Sequence, residues 1–391
     1  MMREGEERAL RIGFLINPLA GLGGRVGLKG SDGAGIVAAA LARGARPLAE
    51  VRAGLALRGL AAAGATILTA AGAMGEQACR LAGIAARSVH RPAGDVTTAE
   101  DTVEAARAFL REGVDLVLFA GGDGTARDVH AAVGRQAAML GIPAGVKMYS
   151  GVFALSPVHA GLLAAAFRPG APLAEREILD IDEESLRRGR PATRLHGYGL
   201  VPRDRAVQAA KASAGTDEEG DLAALCRAAA RQLEPGLLHI VGPGSTMQRL
   251  LAEAGQEGTL LGVDLMADGE LVGRDVGEAR ILTAMAGRPA RIHVGVIGGT
   301  GCLFGRGNQQ ISADVLRLVP RERISILAPP AKLALLGPDG FFVDTGDAQV
   351  DAMLAGYVKV DTAPGRRMVM KVAGASGLRR PSASAGAEKP A

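Results

Sequence analysis

The residue with the clearest capacity for chemistry is Asp123, the one carboxylate in the run Gly121-Gly122-Asp123-Gly124-Thr125. An uncharged apolar run at 116–120 precedes it and a helical pattern follows, which predicts a buried strand, a turn and a helix. The glycines permit close backbone approach and positive φ, and Thr125 suits the N-cap of the helix. Backbone N–H groups at such a helix start bind phosphate. A carboxylate beside a bound phosphate can orient a hydroxyl group or hold a metal ion.

Two further stretches point to a phosphorylated ligand. Asn17 ends a predicted buried strand, where its amide can bond a nucleotide phosphate or ribose. The turn Gly242-Pro243-Gly244-Ser245-Thr246 again follows an apolar strand and opens a helix, so it is a second candidate anion cradle. The simpler interpretation of Asp123 is a tight turn whose carboxylate bonds its own backbone. Both interpretations stay open at this point.

Alternating strands and helices organise the first part of the chain. Strands are predicted at 12–16, 65–68, 85–89, 116–120 and 141–146, with helices at 47–63, 74–82 and 97–111. This order predicts a parallel, Rossmann-like sheet, in which ligands bind at the carboxyl ends of the strands. Asn17 and Asp123 both follow strands, so they should meet at one edge. We expect an α/β nucleotide-binding domain over residues 1–150.

The pattern changes after Pro172, where short apolar runs are separated by glycine turns. This texture predicts a mostly antiparallel, β-rich and β-sandwich-like domain over residues 151–365. Residues 366–391 are assigned to a disordered tail, because the sequence from Gly374 is rich in Ser, Ala, Gly and Pro.

The Gly-Gly-Asp-Gly-Thr run resembles the signature of the NAD kinase and diacylglycerol kinase superfamily. Residues 11–24 are similar to that superfamily's opening strand and its Asn-Pro-x-x-Gly turn, and residues 242–246 to the Gly-Ser-Thr turn of NAD kinases. The likeness extends to the ATP-NAD kinase branch that includes the acetoin-catabolism protein X. The stretches that resemble this branch are residues 27–30, 150–154, 305–310 and 343–347.

The resemblance implies a kinase that moves a phosphoryl group from ATP or polyphosphate to the 2′-hydroxyl of NAD, with Mg²⁺. It implies an active site in the cleft between the two domains, with Asp123 facing that cleft beside the acceptor hydroxyl. The phosphate-binding backbone would come from Gly121, Gly122, Gly124 and Thr125. The other predicted nucleotide contacts are Asn17, Gly242, Gly244, Ser245 and Thr246.

One departure from the family leaves the acceptor open. NAD kinases carry an Asn-Glu pair on a strand that here reads Arg194–Gly199 and lacks both residues. Another small hydroxyl compound, a lipid or a non-catalytic role as a nucleotide-binding regulator are therefore kept as alternatives. Asp32, Asp264 and Asn308 are candidate substrate contacts. The run Asp344-Thr345-Gly346 resembles the aspartic-protease motif, but that chemistry needs two such carboxylates, so a structural turn is the preferred interpretation.

Composition and charge limit the remaining classes of function. The net charge of +4 is spread along 391 residues without a basic and aromatic stripe, which disfavours nucleic acid. Three widely spaced cysteines predict neither a disulfide framework nor a zinc site, and they fit the cytoplasm. The uncharged window 148–167 is interpreted as a loop and a buried helix from about Pro157, not as a membrane span. We expect a small-molecule, dinucleotide-like substrate and a homo-oligomer.

Overall fold

The computed structural model describes residues 9–28, 34–61, 63–94, 96–145, 148–181, 193–204, 207, 217–296, 301–334, 336 and 340–374. A five-stranded parallel sheet forms the centre of the first domain, in the order β3-β2-β1-β4-β5. Its strands are β1 (Arg11–Ile16), β2 (Thr66–Ala70), β3 (Ala86–His90), β4 (Leu116–Gly121) and β5 (Ala138–Pro143). The helices of this domain are α1 (Ala34–Ala42), α2 (Ala49–Leu60), α3 (Glu76–Leu81), α4 (Ala99–Arg111), α5 (Asp123–Val133) and α6 (Pro157–Ala166), with a 3₁₀ turn at Gly72–Met74.

Strand β4 lies in the interior of this sheet and is buried along its whole length. It pairs in parallel with β1 on one side and β5 on the other. The Phe119 ring on β4 meets the Phe153 ring edge to face, with ring centroids 5.6 Å apart. Helix α4 packs closely on β1, since a Cβ at Gly13 would lie 2.5 Å from the Phe109 ring. The predicted parallel sheet is therefore confirmed, with β4 fixed from both sides.

Local sequence signals explain where two helices begin. Helix α4 starts after Thr98, whose side chain accepts from the Asp101 N–H while the Asp101 carboxylate accepts from the Thr98 N–H. Helix α6 starts at Pro157 with the Ser156 side chain as its cap, which confirms the buried helix expected there. None of the described helices has the length and apolar character needed to cross a bilayer.

An antiparallel hairpin extends the first domain beyond its predicted end. Its strands are β6 (Leu173–Ile181) and β7 (Thr193–Pro202). Ile178 and Val201 of the hairpin are buried in the same core as the five-stranded sheet, together with Phe153 and Val207. The boundary predicted at residue 150 is therefore too early, because residues 151–207 supply apolar side chains to the first core.

The second domain is built on a nine-stranded mixed sheet, in the order β10-β9-β8-β11-β13-β15-β16-β14-β12. Its strands are β8 (Leu238–Val241), β9 (Asp264–Ala267), β10 (Glu270–Gly273), β11 (Ala290–Gly295), β12 (Cys302–Phe304), β13 (Ile324–Leu327), β14 (Phe341–Val343), β15 (Gly356–Ala363) and β16 (Arg366–Gly374). Its helices are α7 (Asp217–Ala230), α8 (Ser245–Glu253), α9 (Glu278–Met285), α10 (Ala313–Leu318), α11 (Pro330–Ala334) and α12 (Ala348–Leu354), with a 3₁₀ turn at Arg321–Arg323.

Two predictions for this domain are wrong in detail. The domain is strand-rich as expected, but β8, β11, β13 and β15 run parallel to one another, so the sheet is mixed and not mostly antiparallel. The tail assigned to 366–391 starts too early, because residues 366–374 form β16 and pair with both β15 and β14. Residues 375–391 lie outside the described residues.

Candidate functional site

Asp123 is the first residue of α5 and lies directly beyond the end of β4. Its carboxylate accepts the backbone N–H of Tyr149 at 2.6 Å and that of Ser150 at 3.0 Å. The residue is only 5% exposed. The carboxylate therefore bonds the backbone of the segment that follows β5 instead of its own turn, and this segment covers it.

Burial sets the protonation of this carboxyl group. It raises the pKa of Asp123 to about 7, against the lowering effect of the hydrogen bonds from Ser150 and Tyr149. The nearby Asp180 carboxylate raises the pKa further. A carboxyl group with a pKa near 7 can accept a proton at neutral pH, which is what a general base needs.

The parallel pairing of β1 and β4 brings the next predicted residues to the same edge, as expected. The Asn17 side-chain amide donates to the Thr125 hydroxyl at 3.0 Å, and the Asn17 backbone N–H donates to the Ala120 carbonyl at 2.9 Å. Thr125 is not the N-cap of α5, because the helix already begins at Asp123 and Gly122 occupies the cap position. The hydroxyl of Thr125 instead connects α5 to the end of β1.

The glycines of this turn serve close packing. A Cβ on Gly121 would lie 2.4 Å from the Cβ of Thr125, and the Cα of Gly122 lies against Gly145 beyond β5. Gly121, Gly122 and Gly124 all have negative φ, so the expected positive φ is not used. The first turn of α5 still presents backbone N–H groups that no intrahelical acceptor can satisfy.

The second predicted turn lies at the carboxyl end of β8. Gly244 has φ of 111° and precedes α8, which begins at Ser245. Thr246 is buried and its hydroxyl accepts from the Lys332 ammonium group at 2.8 Å. No sequence pattern indicates Lys332, because it lies 86 residues further along, on the short helix α11. This turn therefore combines a helix start with a cation.

Two of the three candidate substrate contacts hold the protein's own loops by hydrogen bonds. Asp264 is buried and accepts from the Thr259 N–H and hydroxyl and from the Asp275 N–H, so it holds two loops together. Asn308 accepts from the Gly305 N–H and donates to the Leu303 carbonyl, so it shapes its own loop. Asp32 lies outside the described residues.

A cavity of about 210 Å³ lies between the two domains. The first domain contributes the loop after β1, one face of α2 and residues near the end of β5. The second domain contributes the 305–314 loop and the 345–347 turn, two of the stretches that resemble the ATP-NAD kinase branch. Charged residues of its lining are Arg25, Arg52, Arg306, Arg317, Asp314 and Asp347.

Two arginines, the largely buried Arg52 and the buried Arg306, join the domains beside this cavity. Arg52 on α2 donates to the Pro143 carbonyl and forms an ion pair with Asp344, which is 2% exposed. Arg306 donates to the carbonyls of Ala154 and Leu155 and lies 5.6 Å from the centre of the Phe342 ring. Burial lowers the pKa of Arg306 to about 10, which leaves it charged at neutral pH. Asp344 of the Asp-Thr-Gly run thus serves an interdomain ion pair.

The structure separates Asp123 from the cavity. Neither Asp123 nor the 242–246 turn belongs to the cavity lining, whereas Gly145 and Met148, close to the segment that covers Asp123, do. In this conformation Asp123 is therefore covered and does not contact this cavity. Within the described ranges, no group of three or more His, Cys, Asp or Glu side chains is placed to hold a metal ion.

Fold and site define a class: two-domain α/β proteins with a glycine-rich strand-to-helix turn and a cavity between the domains. Family models match both halves of the chain, the ATP-NAD kinase N-terminal domain over residues 13–170 and the ATP-NAD kinase C-terminal domain over residues 236–372. The chain belongs to the ATP-NAD kinase family. Comparisons with curated proteins and with solved structures gave no match.

Proposed function

We propose that this protein transfers a phosphoryl group from ATP or polyphosphate to the 2′-hydroxyl of NAD, giving NADP. The observation that carries the proposal is the placement of Asp123, a fixed carboxylate at the end of β4 with a pKa near 7, in a chain of the ATP-NAD kinase family. Phosphoryl transfer depends mainly on positioning and on neutralising charge, so the protein needs only one well-placed carboxylate for the proton of the acceptor hydroxyl. Asp123 accepts or orients the proton of the acceptor hydroxyl.

Access to Asp123 requires the Tyr149–Ser150 backbone to move. Each carboxylate oxygen has two lone-pair sites and uses one on a backbone N–H, so acceptor capacity remains. Burial of the side chain, however, leaves no route for an acceptor hydroxyl in this conformation. We assign the resting state to this conformation, and the reactive state to one in which the segment 148–150 withdraws.

Phosphate contacts are assigned to the two turns. The backbone of Gly121, Gly122, Gly124 and Thr125 at the start of α5 offers N–H groups to one phosphate, with Asn17 beside it. The turn formed by Gly242, Gly244, Ser245 and Thr246, together with Lys332, offers the second cradle. Both assignments follow from helix starts at the carboxyl ends of strands.

The proposal includes Mg²⁺ bound with the nucleotide phosphates. A carboxylate and a phosphate at one helix start repel each other, and a divalent cation between them removes that repulsion. Mg²⁺ in kinases is held by one or two carboxylates and by substrate phosphates, which fits a site where Asp123 supplies a carboxylate. The ion would neutralise the charge on the transferred phosphoryl group.

The decisive experiment offers the purified protein ATP labelled in the γ-phosphate, or polyphosphate, with a panel of hydroxyl acceptors. We expect label in NADP, and at least a ~10²-fold loss of turnover in Asp123→Asn, the low end for a general acid–base group. Labelling of a different acceptor would keep the kinase and replace NAD. The free state of Cys79, Cys226 and Cys302 supports the reducing cytoplasm as the place of action.

Burial of Asp123 favours a second candidate function. A protein that binds the nucleotide but never exposes this carboxylate would act as a nucleotide-binding regulator. Binding of ATP or NAD without any transfer, in the presence of Mg²⁺ and across the whole acceptor panel, would establish this alternative.

A further inference from the structure

The covering segment of Asp123, residues 148–150, lies between helix α5 and strand β6. On one side the backbone N–H groups of Tyr149 and Ser150 donate to the Asp123 carboxylate at 2.6 and 3.0 Å. On the other side the Ser150 hydroxyl donates to the Leu179 carbonyl at 2.8 Å and accepts from the Leu179 N–H at 3.0 Å. Ser150 is fully buried. This residue therefore bonds the candidate base through its backbone and β6 through its side chain.

Strand β6 offers these groups because it pairs with another strand, β7, on one side only. Alternate residues of an antiparallel strand direct their backbone N–H and C=O groups away from such a partner. The bonds of Leu179 to Ser150 fit this alternation, since Glu177, two positions earlier, accepts from the Gly151 N–H at 2.9 Å. A hydroxyl group bonds both backbone groups of Leu179 at once, because it donates one hydrogen and accepts through its lone pairs.

Strand β6 is itself fixed to the helix that carries Asp123. Asp180, the residue after Leu179, forms an ion pair with Arg127 of α5, with 2.6 Å between Oδ2 and Nη1. Arg127 lies one turn after Asp123 on this helix. Ile178 of β6 is buried in the core of the first domain. Because β6 is anchored in these two ways, the covering segment must break its bonds to β6 in order to withdraw.

We propose that the Ser150 hydroxyl is a latch that holds the covering segment on β6 and so sets how often Asp123 is exposed to an acceptor. This inference deepens the proposed function and rests on it for the role of Asp123 as the base. Without the hydroxyl, both backbone groups of Leu179 are unpaired in the closed state but bond water in the open state, so the equilibrium shifts towards opening. Ser150 is thus a positioning residue, which acts through the cover of Asp123 and not on the substrate.

Hydrogen exchange of the full chain without ligand measures this equilibrium. The Tyr149 and Ser150 N–H groups exchange only when they leave the Asp123 carboxylate, so their rates report the open fraction. Mass spectrometry with fragmentation resolves single residues, and the rates are corrected for the intrinsic exchange of each sequence. We expect Ser150→Ala to speed exchange at residues 149 and 150 at least ~10-fold, the effect of one lost hydrogen bond.

The matched control is Ser156→Ala. Ser156 is also a fully buried serine, but its hydroxyl caps α6 and accepts from the His159 N–H. Loss of that cap lowers the stability of the protein and should leave exchange at residues 149 and 150 unchanged. Ser150→Cys is a milder variant, because a thiol is only a weak donor and acceptor. Its exchange rates should lie between those of the wild type and Ser150→Ala, and it carries the test if the alanine variant does not fold.

Steady-state kinetics give an independent measure of the same equilibrium. An acceptor that binds only the open state has an apparent dissociation constant that is its intrinsic constant divided by the open fraction. Ser150→Ala should therefore lower KM for the acceptor by about the factor by which exchange rises. Its kcat should stay close to that of the wild type, since Asp123 itself is unchanged. A general structural defect would not lower KM.

Wild-type exchange at residues 149 and 150 in Ser150→Ala, or in Ser150→Cys if the alanine variant does not fold, would overturn the latch. A fall in kcat at unchanged KM would also overturn it, because Ser150 would then shape the reactive state and not the closed one. Failure of the proposed function gives a different pattern. In that case no acceptor would receive phosphate even from the wild type, yet exchange at these two amides would still depend on Ser150.

Discussion

Arg52 and Asp344 form an ion pair across 292 residues of sequence and join the two domains beside the cavity. Arg52 belongs to α2, and Asp344 follows β14 of the nine-stranded sheet. Their side chains are 11% and 2% exposed, so water screens the pair little. Because Arg52 also bonds the Pro143 carbonyl at the end of β5, one guanidinium connects the second domain to the parallel sheet.

The first prediction concerns the stability of this junction. Asp344→Asn leaves Arg52 buried without its counter-ion, and breaking a buried pair in this way costs about 3–5 kcal/mol. The free energy of unfolding, measured by urea titration, should fall by that order. Removal of the exposed Arg135–Glu175 pair by Arg135→Gln is the control and should cost less than about 1 kcal/mol. Equal losses in the two variants would show that Arg52 and Asp344 do not stabilise the interface.

The second prediction concerns the pH dependence of catalysis. A base must be ionised to accept a proton, so kcat/KM of the wild type should rise with pH through about 7, the pKa of Asp123. Asp123→Asn should lower kcat/KM at least ~10²-fold and abolish this rise. Steady-state rates between pH 5.5 and 8.5 provide the measurement. A variant that is slow but keeps the wild-type pH profile would make Asp123 a positioning residue that holds the Tyr149–Ser150 backbone.

The first domain could be predicted well because its signals are local. The uncharged run at 116–121 marked the central strand, and Thr98 marked the start of α4. Asn17 and Thr125 met because parallel strands end at a common edge. Each of these inferences needed only neighbouring residues and one general rule of sheet topology.

The remaining features depend on partners that are distant in sequence. No pattern links Arg52 to Asp344, and no pattern shows that the Asp123 carboxylate bonds the Tyr149 and Ser150 backbone. Short runs separated by glycines look alike in parallel and antiparallel sheets, which is why the second sheet was assigned the wrong pairing. Asp264 is a candidate substrate contact in the sequence, which does not show that Thr259 and Asp275 occupy its carboxylate.

The third prediction concerns Gly121, which precedes Gly122, the N-cap of α5. Gly121→Ala places a Cβ 2.4 Å from the Cβ of Thr125, an overlap that the packed turn cannot relieve cheaply. We expect a loss of about 1–3 kcal/mol in the free energy of unfolding, the usual cost of overpacking. Gly220→Ala is the matched control, because its Cβ meets nothing within 4 Å and it lies inside α7. That variant should gain about 0.5–1 kcal/mol. Equal stability of the two variants would contradict the tight packing of the turn.

The fourth prediction concerns the loss of folding stability at acid pH. We attribute part of this loss to a buried histidine pair in the second domain. His239 Nδ1 lies 2.9 Å from His293 Nε2, and His239 Nε2 lies 3.0 Å from the Glu234 carbonyl. A carbonyl only accepts, so His239 carries a proton on Nε2. Burial lowers the pKa of both histidines and so favours two neutral rings, in which His239 Nδ1 accepts from His293 Nε2–H. Burial lowers the pKa of His293 to about 3, with His239 and Arg291 adding to the effect.

Because the folded-state pKa of His293 lies below the unfolded value of 6.5, its contribution to stability is complete above pH 6.5 and is lost as the pH falls towards 3. At pH 5 this one ring lowers the free energy of unfolding by about 2 kcal/mol relative to its value above pH 6.5. His293→Gln keeps a donor for His239 but cannot be protonated in this range. Urea titrations at pH 7.5 and 5.0 should therefore show a smaller acid-induced loss of stability in the variant than in the wild type. Equal losses would mean that His293 is already protonated in the folded protein at pH 5, and that the neutral pair is wrong.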